Sequence, residues 1–226
     1  MRLPHSAVPE EFDALAAEAD VDLAFVDDPA HLGVPDLVIL PGSEATIPDI
    51  DAMRERGMDL AVRRAAEGGS LLFGICGGFQ MMGTEVLDPE RLEGGAERAR
   101  GLGIFDLETT MTRDRIDAPA SATAAGGGLL EAGERVSGFE LHGGKSVLRD
   151  ADVVSLFSEQ AAGGGACPLA IATRDYAAMG TYLHGILADP VFRGRILAHL
   201  RARRASRVSA PAGSGNASEG AASPVA

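Results

Sequence analysis

One cysteine in this chain sits where a nucleophile could be built. Residues 73–80 read FGICGGFQ. The apolar run "SLLFGI" (70–75) leads into Cys76, and "GFQMMG" (78–83) starts a short helix. Strand, Gly-x-Cys-x-Gly, helix is the layout of a nucleophile elbow. A tight strand-to-helix turn strains the backbone at its apex, and Gly74, Gly77 and Gly78 give the chain room to make it. The turn lifts the sulfur above the sheet edge, and the helix start offers N–H groups that can hold an oxyanion. A buried, inert cysteine is the competing reading, because free cysteine is among the most buried residue types. The glycine pattern argues against it. So does Gln80, which helical geometry points back toward the turn from four residues on.

Such a thiol needs a base. Five histidines are available: His5, His31, His142, His184 and His199. His184 lies in "GTYLHGIL" (180–187), a strand end followed by glycine. Catalytic groups of α/β sheets gather there, beyond the carboxyl ends of strands. His142, in "GFELHGGK" (138–145), has a similar setting. His199 sits inside a helix beside arginines, and His5 and His31 lie in loops without a supporting pattern.

The elements that must position these groups alternate along the first half. Residues 10–19 read as a helix, 21–26 as a strand and 35–42 as a second strand with a continuous apolar run. Residues 58–69 form a helix ending in glycines, and 70–75 a third strand. This alternation predicts an α/β fold, a mostly parallel sheet with helices on both faces. The second half offers short strand candidates at 101–113, 135–148, 152–158, 168–175 and 179–185, joined by Gly-rich stretches such as Gly126–Gly128 and Gly163–Gly165. A last helix over 190–205 places Phe192, Ile196 and His199/Leu200 on one face. The tail from Ser206 is rich in Ala, Gly, Ser and Pro, cannot bury enough apolar surface to offset its ordering entropy, and is expected to be disordered.

Composition bounds the function. The 226 residues are 46% hydrophobic, enough for one α/β domain with a core. A formal charge of −13 disfavours nucleic acid and anionic membranes as partners. Cys76 and Cys167 form no C-x-x-C and no Cys/His zinc spacing, so no metal site is expected and a reducing cytoplasm is the default. No apolar run reaches the ~18 residues that a membrane span needs, and "MRLPHSAVPEEF" lacks the apolar core of a signal peptide.

Four motifs in order, "LPGSEATIPDI" (40–50), "GICGGFQMMG" (74–83), "GFELHGG" (138–144) and "GTYLHGIL" (180–187), resemble the C-terminal glutamine amidotransferase domain of cobyric acid synthases, a triad-type (class I) amidotransferase with a flavodoxin-like fold. The resemblance runs from about residue 2 to 204, and "VFRGRIL" fits the family's closing helix. It implies that Cys76 attacks the side-chain amide of L-glutamine to form a thioester, and that His184 takes the thiol proton and passes it to departing ammonia. The N–H of Gly77 and one from the Gly42–Ser43 turn would form the oxyanion hole, and Gln80 would help hold the substrate. The ammonia would feed ATP-dependent amidation of adenosylcobyrinic acid a,c-diamide carboxylates in cobalamin biosynthesis.

Departures from the family refine this reading. Triad amidotransferases usually carry a glutamate two residues past the histidine; here Ile186 stands there. Cobyric acid synthases also lack that acid. The orienting group of His184 is thus left open, with Asp189 nearby in sequence. A poorly oriented base implies weak glutaminase activity that rises when a partner domain docks. The family's N-terminal synthetase domain, which would use ATP and Mg, has no counterpart: the chain has no phosphate-binding loop and one lysine, Lys145. The expected division is an amidotransferase domain over 1–204, its first strand cut short at "RLPHS", and a disordered tail over 205–226. Two other functions compete: the amidotransferase subunit of peptidoglycan lipid II isoglutaminyl synthase, and an inactive orphan domain that only binds a partner. No chemical role for His142 follows from the sequence, and Cys167 reads as incidental.

Overall fold

The computed structural model describes residues 1–6, 9–159, 161–162 and 167–209. Gly163–Gly165 and the tail beyond Ser209 lie outside them. A short 3-10 turn, Pro9–Phe12, runs into a four-residue helix α1 (Asp13–Ala16), so the predicted helix over 10–19 is shorter than its periodicity suggests. Strand β1 (Leu37–Leu40) follows, then α2 (Thr46–Glu55), α3 (Met58–Glu67), β2 (Leu71–Ile75) and α4 (Gly77–Met81). Next come β3 (Glu85–Leu87), β4 (Arg98–Arg100) and two long strands, β5 (Leu107–Thr123) and β6 (Arg135–Leu148). The chain closes with β7 (Val153–Ser155), β8 (Ala170–Thr173), β9 (Ala178–Thr181), β10 (Leu183–His184) and α5 (Pro190–Ser209).

The strands form two five-stranded sheets, ordered β1-β2-β9-β8-β7 and β10-β6-β5-β3-β4. In the first, β1–β2 and β2–β9 pair parallel, whereas β8 and β7 add antiparallel strands at one edge. The α/β layout is as expected; the sheet is mixed because the Gly-rich second half returns through short connections instead of crossover helices. In the second sheet, β5 and β6 run antiparallel over most of their length, with an irregularity between Thr110 and Arg115.

Three expectations fail. Residues 21–26 alternate like a strand, and Val21, Leu23 and Val26 do pack against the core, but no ladder forms there. Apolar alternation selects a buried side; it does not supply a hydrogen-bonding neighbour. The start of the expected disordered tail, 205–209, is instead helical, because α5 continues to Ser209; the rest of that tail lies outside the described residues. The family's shortened first strand is also not a strand here: residues 1–6 contribute a bridge from Ser6 to Ser43 and single backbone bonds, Met1 N to Ile39 O and Arg2 N to Val26 O.

Helix α4 is the centre of the molecule. All five of its residues are buried where the two sheets meet. Phe79 packs edge-on to Phe105 and tilts against Tyr182, with ring centroids 5.9 and 5.0 Å apart. Gly180 of β9 admits that ring: a Cβ there would sit 2.0 Å from Phe79 Cδ2. Outside the first sheet, α3 buries Met58, Ala61, Val62 and Ala65 at helical spacing. α5 buries Phe192, Ile196 and Leu200, the face read from sequence, with Phe192 stacked on Phe73 of β2 at 5.7 Å. Truncating Phe192 removes that fully buried ring from the layer that supports β2. Phe192→Ala is expected to cost about 3–5 kcal/mol, read as a lower urea midpoint with unchanged slope.

Candidate active site

Cys76 follows the last residue of β2 and precedes the first of α4. Its backbone sits at φ 50, ψ −111, a left-handed φ that a side chain beyond glycine rarely adopts. The elbow that the sequence predicts is therefore present, strain included. The backbone N–H of Cys76 donates to Thr181 O at 2.8 Å, which ties the elbow to the end of β9. Close approaches force the flanking glycines. A Cβ on Gly78 would lie 2.0 Å from Leu40 O at the end of β1, and one on Gly77 would lie 2.9 Å from Ser43 N. The Gly77 and Ser43 N–H groups are thus neighbours, and no hydrogen bond engages either among the described residues. Unengaged backbone donors beside a thiol are the kind of group that an oxyanion hole uses.

His184 arrives through the parallel pairing of β2 with β9. Ile75 is in register with Thr181, so the residues after each strand emerge together. The chain then crosses into β10, where His184 pairs with Phe139 of β6. The imidazole packs on the β1–α2 turn so tightly that a Cβ on Gly42 would sit 2.8 Å from Cε1. Gly42, Ser43, Cys76, Gly77 and His184 are therefore brought to one place, as the sequence expects.

Strand β6 supplies the opposite wall. The Cys76 thiol donates to Leu141 O at 3.0 Å, and Gln80 Nε2 donates to Gly143 O at 3.0 Å. Gln80 Oε1 accepts from Thr46 Oγ1 at 3.2 Å. Both ends of the Gln80 amide are thus held by protein. These bonds give the "GFELHGG" block a physical role: its backbone carbonyls anchor the nucleophile and the glutamine side chain. His142 lies between them, its Nε2 2.9 Å from Glu140 Oε1 and its ring tilted on Tyr182 at 4.2 Å. That pinned geometry fits the structural reading, although His142 also lines the cavity.

The cavity above Cys76 measures about 390 Å³, within the ordinary range for small-molecule sites. Glu44 and Glu93 line it, and so do Arg113 and Arg115. Glu44 lies in the "LPGSEATIPDI" block, but Glu93, Arg113 and Arg115 carry no sequence motif and reach the cavity only in the folded chain. Among the described residues, no group of three or more His, Cys, Asp or Glu is placed to hold a metal ion.

Asp189, the acid near His184 in sequence, does not orient it. Its carboxylate accepts from Val191 N and Phe192 N at the start of α5 and from Ser137 N. It is a helix cap. Glu11 stands beside His184 instead. This residue of the 3-10 turn is buried, and its Oε1 accepts from Gly185 N at 2.8 Å across 174 residues. Its Oε2 lies 3.5 Å from His184 Nδ1. No local pattern could have singled out Glu11, because the contact is made only in the folded chain.

A scan of family models matches residues 1–192 to the CobB/CobQ-like glutamine amidotransferase domain. The chain belongs to that family. It is 40% identical over 207 residues to a cobyric acid synthase of Pelotomaculum thermopropionicum, covering 89% of this chain and 39% of that protein. Against a cobyric acid synthase of Gloeothece citriformis it is 36% identical, covering 90% and 41%. The chain thus spans about two fifths of the curated relatives it matches. Among solved structures, a glutamine amidotransferase superposes with a TM-score of 0.61 at 20% identity, covering 87% of this chain and 95% of that one. PurLQS of Thermotoga maritima does so at 0.58 and 18%, covering 92% and 96%. Both show a shared fold.

The electrostatics of this amidotransferase site centre on His184. Burial works against charge on the imidazole, but Cys76 and then Glu11 outweigh it and raise the pKa from 6.5 to about 10. A proton that reaches His184 is therefore retained across neutral pH. Cys167, by contrast, has its thiol pushed up to about 12 by burial alone, and is inert.

A raised histidine pKa stabilises the folded state fully below 6.5, and the contribution disappears as pH climbs to about 10. Melting temperature should fall over that alkaline window in the native chain. It should fall less in Cys76→Ser, which removes the larger raising partner. Parallel melting curves across the window for the two proteins would contradict this coupling.

Proposed function

We propose that this chain is the glutamine-hydrolysing part of a cobyric acid synthase, which releases ammonia for an ATP-dependent synthetase partner. The observation that carries the reading is a cysteine on a strained elbow, beside a buried histidine and two unused N–H groups, under a cavity of amino-acid size. The cavity's paired signs suit a zwitterion: Glu44 can face an ammonium group and Arg115 a carboxylate, whereas Glu93 already accepts from Thr46 Oγ1 and Ile47 N and Arg113 already pairs with Glu90. The names of the relatives favour the corrinoid pathway over peptidoglycan amidation. On this reading the acceptor is adenosylcobyrinic acid a,c-diamide, held by the partner, which also uses ATP and Mg. The setting is cytoplasmic; among the described residues no helix is long and apolar enough to cross a membrane.

The chemistry balances with the groups present. The Cys76 thiol proton passes to His184, and the sulfur attacks the side-chain amide carbon of glutamine. The carbonyl oxygen gains the negative charge and takes hydrogen bonds from the Gly77 and Ser43 N–H groups. Collapse of this tetrahedral intermediate breaks the C–N bond as imidazolium protonates the nitrogen, which leaves as ammonia. Water then adds to the thioester and gives one proton back to His184. The thiolate departs, recovers that proton, and glutamate is released. Gln80, with its amide tied to Gly143 and Thr46, shapes the wall against which the substrate lies.

The test is incubation of the full chain with 6-diazo-5-oxo-norleucine, followed by mass spectrometry. A single adduct on Cys76, absent from Cys167 and blocked by glutamine, is expected. His184→Ala should slow its formation by about 10³-fold or more, on the scale of losing one member of a catalytic triad. A folded chain that gains no adduct, or gains it on Cys167, would refute the assignment.

A further inference from the structure

We infer that Glu11, carried by the N-terminal segment of the domain, is the positioning residue for His184. The inference rests on the proposed glutaminase reading of the site. Glu11 Oε2, His184 Nδ1 and His184 Nε2 are all buried without a hydrogen-bond partner. A buried carboxylate without partners is costly, so such atoms in one place call for an explanation. Nδ1 and Oε2 already face each other at 3.5 Å, an ion-pair separation slightly longer than a good hydrogen bond. Catalytic hydrogen bonds are often long before substrate binds.

The second carboxylate oxygen fixes the arrangement. Glu11 Oε1 takes the N–H of Gly185, the residue after the histidine, whose φ of +72 turns the chain away from β10. One carboxylate therefore holds both the backbone behind His184 and its ring. An Nδ1–H donated to Glu11 leaves Nε2 as the acceptor for the Cys76 proton, the tautomer a cysteine–histidine pair needs. Ile186 occupies the position where an acid commonly follows such a histidine. It is fully buried in the core and has no group to offer. Glu11 supplies that function from the other end of the domain.

The segment bearing Glu11 also braces the oxyanion side. His5 O accepts from Glu44 N at 3.1 Å. Asp49 accepts from His5 Nδ1 at 2.8 Å and from Ser43 Oγ at 2.7 Å. His5 and Glu11 thus touch both sides of the site; Ala7 and Val8 lie outside the described residues. The titratable groups set around His184 are Cys76 from the β2–α4 turn and Glu11 from the 3-10 turn. Glu44, Glu93, His142, Arg113 and Arg115 line the same cavity.

Inactivation by 6-diazo-5-oxo-norleucine, followed in the full chain across pH, separates positioning from simple structural support. Glu11→Gln is expected to lower the maximal inactivation rate by about 10²-fold or more, with half-saturation changed by less than about threefold. Its pH midpoint should move down, because the carboxylate that helps raise the His184 pKa is gone. Glu11→Asp should recover activity to within about tenfold of the native chain. Glu18→Gln, which breaks the Glu18–Arg193 pair in the same N-terminal region, serves as control and should leave rate and midpoint unchanged. A folded Glu11→Gln protein with native rate and midpoint would overturn the inference. So would equal losses in Glu11→Gln and Glu18→Gln that track stability. If Glu11→Gln does not fold, 15N-histidine NMR of the native chain, titrated upward until His184 loses its charge, decides: neutral His184 protonated on Nδ1 supports the inference, and protonation on Nε2 defeats it. A native chain that 6-diazo-5-oxo-norleucine never labels would refute the functional reading instead, while the tautomer would still report on Glu11.

Discussion

The site depends on one close approach, that of the elbow backbone to the end of β1. Gly78 lies so near the Leu40 carbonyl that no side chain fits between them. This contact fixes α4 under the β1–α2 turn and sets the Gly77 N–H beside that of Ser43. It also holds Cys76 at a φ that would relax if α4 could move away. Strain of this kind, of order 1–3 kcal/mol, persists only where surrounding packing over-determines it. Here the packing is the fully buried α4, with Phe79 lodged against Gly180, Phe105 and Tyr182. The nucleophile's geometry is thereby a property of the core and not of a loop.

The two sheets divide the labour. The first carries the elbow and, through the β2–β9 register, brings the chain toward His184. The second contributes β6, whose carbonyls take the Cys76 thiol and the Gln80 amide. His184 lies on β10, which joins the second sheet directly after β9 leaves the first. Cys76 and His184 therefore face each other across the seam between sheets. A seam can be both buried and open to a ligand, and the cavity lies there, lined by residues from both sides.

The local motifs were legible in the sequence because their physics is local. A glycine-flanked cysteine between an apolar strand and a short helix can make few other structures. The "GTYLHG" block placed His184 at a strand end. The apolar faces of α3 and α5 followed from period alone. Residues 21–26 read as a strand, and Val21, Leu23 and Val26 do pack against the core, but Phe25 is exposed and a strand also needs a neighbour in register, which is a tertiary fact. The full length of β5 was hidden for a related reason. Its middle is exposed and polar, and pairing with β6 holds it extended where no apolar pattern marks it.

The sequence by itself determined the fold class, the glycine-flanked elbow at Cys76 and the strand-end place of His184, since each is written in a stretch of a few residues. Tertiary structure alone decided what surrounds them. It assigned Asp189 to a helix cap, gave the "GFELHGG" carbonyls their partners, and gathered Glu44, Glu93, Arg113 and Arg115 around one cavity. It also set Glu11 against His184 from the opposite end of the domain. Hydrogen bonds and ion pairs act over a few ångströms of space, and no periodicity or spacing along the chain encodes which distant residues come within that range.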